Sequence, residues 1–394
     1  MSIKEVRLSK EVEEISQQII EWRRHFHRNP ELSLKEFKTS AKVKALLEEW
    51  GVPYQGVGQT GVLATIKGGL GEGSTILLRA DMDALELDDK TQCSYTSQNE
   101  GVNHACGHDG HTASLLGAVK VLKDKEFKGT IKFAFQAAEE VGLGAKEFID
   151  GGHLQGVDLA FGIHLHSPME VGKVIAAVGP RSASCDIFEI EVSGESAHCS
   201  KPHEGRDALM AGSHIAVSLQ SIVSRRIDPL HPVVIAIGEM HAGTKYNIVA
   251  GKALLKGTLR AFEPKTRELA LEQIEQVAQD TAKIYGTTAE FRNFAASPSL
   301  INKEKEVELA KKVLMNIVGE DNIVEHMPAS LGGEDFADFL EYVPGLFLHV
   351  GTRNLEDEGT WYPHHHERFD IDERALPIAT QIHVDTALAF LAQE

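Results

Sequence analysis

Hydrophobic positions recur every three to four residues over 11–28 and again over 36–50, so both stretches are expected to form amphipathic helices. Gly51 follows the second, where a glycine ends a helix. The period then changes. GVLATIKG (61–68) and TILLRA (75–80) read as strands, and the second is nearly all apolar, as suits a strand buried on both faces. A helix is expected over 109–124 with Asp109 as its N-cap, then a strand at 129–136, a helix near 143–151 and a strand at 158–165. Strands alternating with helices indicate an α/β sheet covered on both faces.

Past Pro180 the pattern changes. Alternating residues at 184–193 predict a strand, followed by a helical stretch at 206–226 and strands at 231–241 and 248–262. A charged, strongly periodic helix over 264–285 and a strand at 287–294 complete the order β-α-β-β-α-β, that of a ferredoxin-like unit. A helix at 303–318 resumes the first style. The expected organisation is a larger domain in two parts, 1–182 and 296–394, with a small α+β domain, 183–295, inserted between them. Hinge motion near 180–184 and 295–298 would close the small domain over a substrate.

With 394 residues the chain is longer than one compact core usually holds, which fits two domains. A formal net charge of -18 argues against nucleic acid and anionic membranes as partners. No stretch has the roughly 20 apolar residues that span a bilayer, and MSIKEVRLSKEVEEISQQ has no apolar signal core, so a cytoplasmic location is expected. Four cysteines suggest no disulfide framework, whereas 19 histidines fall into short clusters.

The strongest local signal is HACGHDGHT (104–112). Cys106 and His108 are ligand types that suit zinc and neighbouring divalent metals, and a following helix N-terminus would favour a thiolate. Strand 75–80 runs into Asp81-Met82-Asp83, strand 129–136 into Ala137-Ala138-Glu139-Glu140, and strand 158–165 into His164-Leu165-His166. Acid and imidazole groups at three strand ends mark the usual ligand-binding edge of an α/β sheet. Adjacent glutamates permit one to bind metal while its neighbour takes a proton from water. Of the consecutive His364, His365 and His366, at most two can face one site. No G-x-S-x-G elbow or phosphate-binding glycine loop is present.

These motifs, together with GESAHCSKPHEGRDAL (194–209), GGEDF (332–336) and HHERFDIDERAL (365–376), occur in the order found in a known family. The chain resembles the di-metal aminoacylase/carboxypeptidase family of amidohydrolases, and its subgroup of hippurate, N-acyl-L-amino acid and auxin-conjugate hydrolases. The resemblance implies a zinc-peptidase-like mixed sheet flanked by helices, with the inserted domain as lid and dimerisation unit. It implies Cys106, His108, Glu140, His164 and His365 as ligands of two divalent ions, zinc or manganese, with cobalt or nickel possible, and Cys106 as the bridge. Glu139 would be the general base and Asp83 would orient it or a ligand. Asp81 stands where related branches have a metal-binding histidine, and it is given no ligand role. His198 would polarise the scissile carbonyl, often from the partner subunit. Asn247 and Arg260 match positions that contact substrate carbonyl or carboxylate groups, and the Gly332 and Gly333 amides would meet the carboxylate, unless they simply form a turn. The chain departs from the subgroup at Ala137 and Glu367, where proline is usual, and at Ser330-Leu331, where the pattern begins Met-Gly-Ser.

The leading expectation is hydrolysis of the amide bond of an N-acyl-L-amino acid by a homodimer or higher homo-oligomer. Alternatives are dipeptidase or carboxypeptidase action on short peptides, a thiol enzyme with Cys106 as nucleophile, and a non-enzymatic metal-binding protein on the same scaffold.

Overall fold

The protein is described by a computed structural model for residues 6–393, without the side chains of 295 and 296. Helix α1 (Lys10–Arg28) begins at Ser9, whose side chain accepts from the Val12 N–H and so satisfies a free amide of the first turn. Val12, Ile19, Trp22 and Phe26 form its buried stripe. Helix α2 (Phe37–Glu49) ends where Gly51 turns left-handed, at φ 67°. The chain continues through β1 (Tyr54–Val57), β2 (Gly61–Lys67), β3 (Thr75–Asp81), α3 (His108–Leu122), β4 (Thr130–Gln136), α4 (Gly144–Asp150), β5 (Leu159–Glu170) and β6 (Val174–Ile175).

Next come β7 (Gly179–Ser182), β8 (Ser184–Ser193), α5 (Ala208–Arg225), β9 (Val233–Ala242), β10 (Lys252–Ala261), α6 (Pro264–Ile284), β11 (Thr288–Ser297) and β12 (Leu300–Asn302). The last stretch holds α7 (Glu304–Ile317), β13 (Ile323–Val324), α8 (Phe336–Leu340), β14 (Gly345–Arg353) and α9 (Ala375–Leu391).

Two compact units result. The first takes the described chain up to Gly179, Asn302–Met327 and the residues from Asp338 on; the second takes Pro180–Ile301 and Pro328–Ala337. The segment 328–337, with Gly332 and Gly333, therefore packs in the second unit, although its place in the sequence assigned it to the larger domain.

In the first unit eight strands form a mixed sheet in the order β1-β2-β4-β3-β5-β14-β6-β13. The central pairs β3–β4, β3–β5 and β5–β14 are parallel, so the ends of β3 and β4 lie at one edge, and β5 runs in the same direction. Ile76, Leu77 and Leu78 of β3 have no exposed surface, the burial that its unbroken apolar run calls for. Helix α3 is buried along all but Lys120, with its buried polar residues gathered toward its N-terminal half. Its core shares Leu115, Leu116 and Val119 with Phe133, Phe161 and Leu376. Burying each such side chain contributes about 1.5–3 kcal/mol.

The second unit has the sheet order β11-β8-β10-β9, with every neighbouring pair antiparallel. With β8-α5-β9-β10-α6-β11 along the chain, this is the expected ferredoxin-like arrangement. Ile215, Leu219 and Ile222 of α5 and Ala270 and Ile274 of α6 share a core with Phe188, Ile190 and Leu255 of the sheet. Asp207 caps α5 by accepting from the Leu209 and Met210 amides.

Two local expectations are corrected. Asp109 does not cap α3: the helix starts at His108 with Gly107, at φ 91°, in the N-cap position, and Asp109 is buried in the first turn. Nor does the third strand end at His164–His166. Pairing with β14 carries β5 on to Glu170, with His349 opposite His164 and Gly351 opposite His166.

Candidate metal centre

Local backbone geometry sets up the centre. Gly107 adopts the left-handed conformation, which lets the chain turn sharply between Cys106 and the start of α3. His108 therefore occupies the first helical position. Its Nδ1 lies 2.9 Å from the Asp83 carbonyl and 3.2 Å from Asp83 Oδ1, both acceptors, so this nitrogen carries the proton. Nε2 then faces Glu139 Oε2 at 4.0 Å and Glu140 Oε1 at 3.9 Å. His164 repeats the device: Nδ1–H donates to the Leu165 carbonyl over 2.7 Å, and Nε2 lies 3.5 Å from Cys106 Sγ. Burial holds the His164 pKa well below the ordinary range, so the ring is neutral and its lone pair is available. In a metal-binding histidine, the other nitrogen is typically anchored in this way.

The three histidines of the C-terminal loop point in three directions. His364 Nε2 accepts from the Ser167 N–H, at 3.4 Å. His366 Nδ1 accepts from the Arg368 N–H, and its ring stacks on Tyr362. His365, left-handed at φ 62°, brings Nε2 to 3.5 Å from Glu140 Oε1, and its N–H donates to the Ala105 carbonyl beside Cys106.

Ligand atoms of Cys106, His108 and His164 lie within 4.8 Å of one another, as do those of Cys106, Glu140 and His365. The two groups share the Cys106 sulfur. Among the described residues, His108 Nε2 and Glu140 Oε1 are buried and have no hydrogen-bond partner. Against the cost of burial, Asp81 and Cys106 push the His108 pKa well up, and the contact with Glu140 pushes that of His365 up, so without metal both rings favour a proton; a divalent ion about 2.0–2.3 Å from each donor would take the place of those protons. This donor set fits two divalent ions. Cys106 itself departs from expectation. Burial pushes its thiol well up, outweighing the pull of His108, so the helix terminus does not by itself produce a thiolate. Coordination to a divalent ion would displace the thiol proton to solvent and leave a thiolate.

Asp83 is buried behind the centre. Its Oδ2 accepts from the Ser33 hydroxyl at 2.7 Å and from the Glu140 N–H at 3.0 Å. Asp81 is committed elsewhere: Oδ2 takes the Arg79 guanidinium at 2.6 Å and Oδ1 takes His111 Nδ1–H at 2.6 Å. His111 Nε2 then accepts from the Leu165 N–H over 2.8 Å. Although Asp81, His108 and His111 are close enough to share an ion, the Asp81 oxygens and both His111 nitrogens have protein partners. Sequence reasoning assigned His111 no role; its spacing of three from His108 on one helix face was the available signal. A second buried set was also missed. Asp109 Oδ2 accepts from Arg23 Nε and His27 Nδ1, each at 2.8 Å, and Arg23 Nη2 donates to Asp370 at 2.7 Å.

The other candidates lie in the second unit. His198 is exposed, and its Nδ1 accepts from the Ser200 N–H at 3.1 Å, which leaves the proton of the neutral ring on Nε2. The Asn247 carbonyl accepts from the neighbouring Cys199 N–H, and Asn247 Oδ1 is buried without a hydrogen-bond partner. Arg260 lies on β10 opposite Cys185, with Nη1 close to Gly333, 3.6 Å from where a β-carbon there would sit. The Gly332 N–H donates to Ser330 Oγ, so this amide belongs to the turn.

Imidazole, thiol and carboxylate donors around a paired carboxylate serve water activation at divalent ions, and the fold and centre together define a metal-dependent hydrolase. The chain belongs to peptidase family M20/M25/M40, which it matches over residues 77–389. It is 38% identical over 377 residues to the N-acetylcysteine deacetylase of Bacillus subtilis, covering 95% of this chain and 97% of that one. With the thermostable carboxypeptidase 2 of Saccharolobus solfataricus it shares 39% over 391 residues, 98% of both chains. Among solved structures, the Bacillus subtilis YXEP protein, described as a dinuclear metal binding peptidase, aligns with a TM-score of 0.84 at 34% identity, over 97% of this chain and all of that one. The reaction class is hydrolysis of amide bonds. Among the described residues, no helix is long and apolar enough to cross a membrane.

Proposed function

We propose that this enzyme hydrolyses the amide bond of N-acyl-L-amino acids, releasing a carboxylate and a free amino acid. The observation that carries this reading is the Glu139–Glu140 pair. Glu140 Oε1 faces His108 and His365, while Glu139 Oε2 approaches His108 from the neighbouring position. Cys106, His108, Glu140, His164 and His365 would hold the ions, with Cys106 in common. Thiolate, imidazole and carboxylate donors suit zinc or manganese, and also accept cobalt or nickel. When bound, the ions supply Lewis acidity, which acidifies water and polarises a carbonyl.

Glu139 takes a proton from the attacking water and returns it to the amine nitrogen as the C–N bond breaks. The water oxygen stays on the acyl carbon. His198 offers Nε2–H to the developing oxyanion, and Asn247 assists at the carbonyl. Arg260 pairs with the free carboxylate, together with the Gly333 amide; the partnership of Gly332 with Ser330 leaves it outside that pair. We also place His198 in the active site of a partner subunit, which makes the working enzyme at least a dimer. Full activity from a species shown to be monomeric by light scattering overturns that part.

Glu139→Gln tests the central role. A loss of about 10²–10⁴-fold in kcat, with both ions retained, is expected; a wild-type rate rejects the base. Chelation should abolish turnover and zinc or manganese restore it, whereas a Cys106 nucleophile would survive chelation. Likeness to a carboxypeptidase keeps a second reading open, cleavage of short peptides. N-acetyl-L-cysteine, hippurate and dipeptides compared for amino-acid release decide between them.

A further inference from the structure

Among the described residues, three that are not glycine have positive φ: Leu34 at 63°, Ala138 at 53° and His365 at 62°. L-residues avoid this region because Cβ crowds the backbone. Two of the three donate their amide to one and the same atom. Glu36 Oε1 accepts from the Leu34 N–H at 3.0 Å and from the Ala138 N–H at 2.9 Å. Glu36 Oε2 accepts from the Thr60 hydroxyl at 2.6 Å, and the residue is fully buried. Glu36 stands just before α2, yet its side chain makes no capping bond to that helix. Its acceptor capacity goes to the turn at Leu34, to Ala138 and to Thr60.

Ala138 is the residue before Glu139. Its carbonyl accepts from the Leu143 and Gly144 amides, closing the loop that follows. On the far side of Glu139, the Glu140 N–H is held by Asp83. The amides that flank Glu139 are thus each fixed by a different buried carboxylate. The same short turn bears on both supports, because Ser33 donates to Asp83 while Glu36, itself held by the Leu34 N–H, accepts from Ala138.

We propose that Glu36 is a positioning residue: it holds Ala138 in the left-handed conformation and thereby aims Glu139, a role that rests on the reading of Glu139 as general base. Glu36 never touches substrate or water in the reaction. The acceptor atom matters and the charge does not. Glutamine at this position can keep Oε1 toward both amides and donate Nε2–H to Thr60 Oγ1, whose lone pairs accept it.

The experiment compares Glu36→Gln, Glu36→Asp and Glu36→Ala, each with and without Ala138→Gly, on an N-acetyl-L-amino acid at fixed zinc. Glycine adopts positive φ without support. Expected are kcat within about threefold for Glu36→Gln and a fall of about 10–100-fold for Glu36→Asp and Glu36→Ala, the scale of lost supporting contacts. KM and two ions per chain should be unchanged. Ala138→Gly should recover most of the lost kcat in the Asp or Ala background. Thr60→Val, which removes only the Oε2 contact, should lower stability and leave kcat near wild type. If Glu36→Ala does not fold, Glu36→Asp carries the comparison. Wild-type kcat in the Asp or Ala variants overturns the proposal, and so does a kcat loss that glycine at 138 leaves unchanged. Glu139→Gln is run alongside. If it keeps its rate, the base assignment fails; if it is inactive while Glu36→Ala is not, only the positioning role fails.

Discussion

Asp83 meets His108 twice, through its carbonyl at 2.9 Å and its carboxylate at 3.2 Å from the same nitrogen. Its other carboxylate oxygen holds the Glu140 amide. One buried side chain therefore orients two donors of the centre, a histidine ring and the backbone of a glutamate. Asp83→Asn places an NH2 group at one of these contacts, where it opposes the Glu140 N–H or loses the bond to His108. Metal affinity should fall about 10–100-fold, as for other losses of supporting contacts, and chelator competition measures it. Affinity equal to wild type rules out this orienting role.

The C-terminal loop gives a sharper test of geometry. His365→Ala should lower the bound metal from two ions toward one per chain, because its Nε2 is the loop nitrogen that reaches Glu140. His366→Ala should leave two ions in place, since His366 is engaged with Arg368 and Tyr362. Elemental analysis of both variants separates them; the reverse pattern would move the ligand to another histidine.

His111 should matter for stability. His111→Phe keeps much of the volume but leaves Asp81 Oδ1 and the Leu165 amide without their buried partner. The cost should be about 3 kcal/mol, mostly the desolvation of groups left unsatisfied. Urea unfolding reads this directly, and a change under 1 kcal/mol (about the mean for any substitution) contradicts it.

The Arg23–His27–Asp109 set makes stability depend on pH. Burial and the Arg23 charge oppose protonation of His27, but the hydrogen bond to Asp109 and the Asp89 carboxylate 3.3 Å from Nε2 prevail and hold its pKa up at about 9, against an ordinary value of 6.5. The folded chain keeps this proton more tightly than the unfolded chain does. The contribution is therefore complete below about pH 6.5 and is lost as pH rises through 9, on the order of 3 kcal/mol in all. His27→Phe should remove that slope between pH 6 and 10 in metal-free protein. An unchanged slope would falsify the assignment.

How much of this was legible beforehand depended on how local the cause was. Helices α1 and α6 and strands β3 and β4 follow from short-range periodicity, and they formed where that periodicity lay. The element order of the second unit was readable for the same reason. Asp109 was misread because an acidic residue near a helix start is normally a cap. Its partners, Arg23 and His27, are 86 and 82 residues away. The 158–165 strand falls short of β5 because polar His164 and His166 mark a strand end by local pattern, and only pairing with β14, far along the chain, supplies partners for the last residues.

The sequence by itself determined which residue types were available: the Cys106–His108 pair, the adjacent glutamates and the run of three histidines. The family pattern then gave them an order. Only the tertiary structure decided their directions. Left-handed turns at Gly107, Ala138 and His365 aim Cys106, Glu139 and the loop histidine, and the tautomers of His108 and His164 are set by carbonyls that folding brings to their Nδ1 atoms. The segment 328–337 joined the second unit for a related reason, since Ser330 pairs with Ser182 across the fold. Periodicity reports which face of an element is buried; it carries no information about which distant backbone group meets a buried polar atom, and that pairing is what builds the centre.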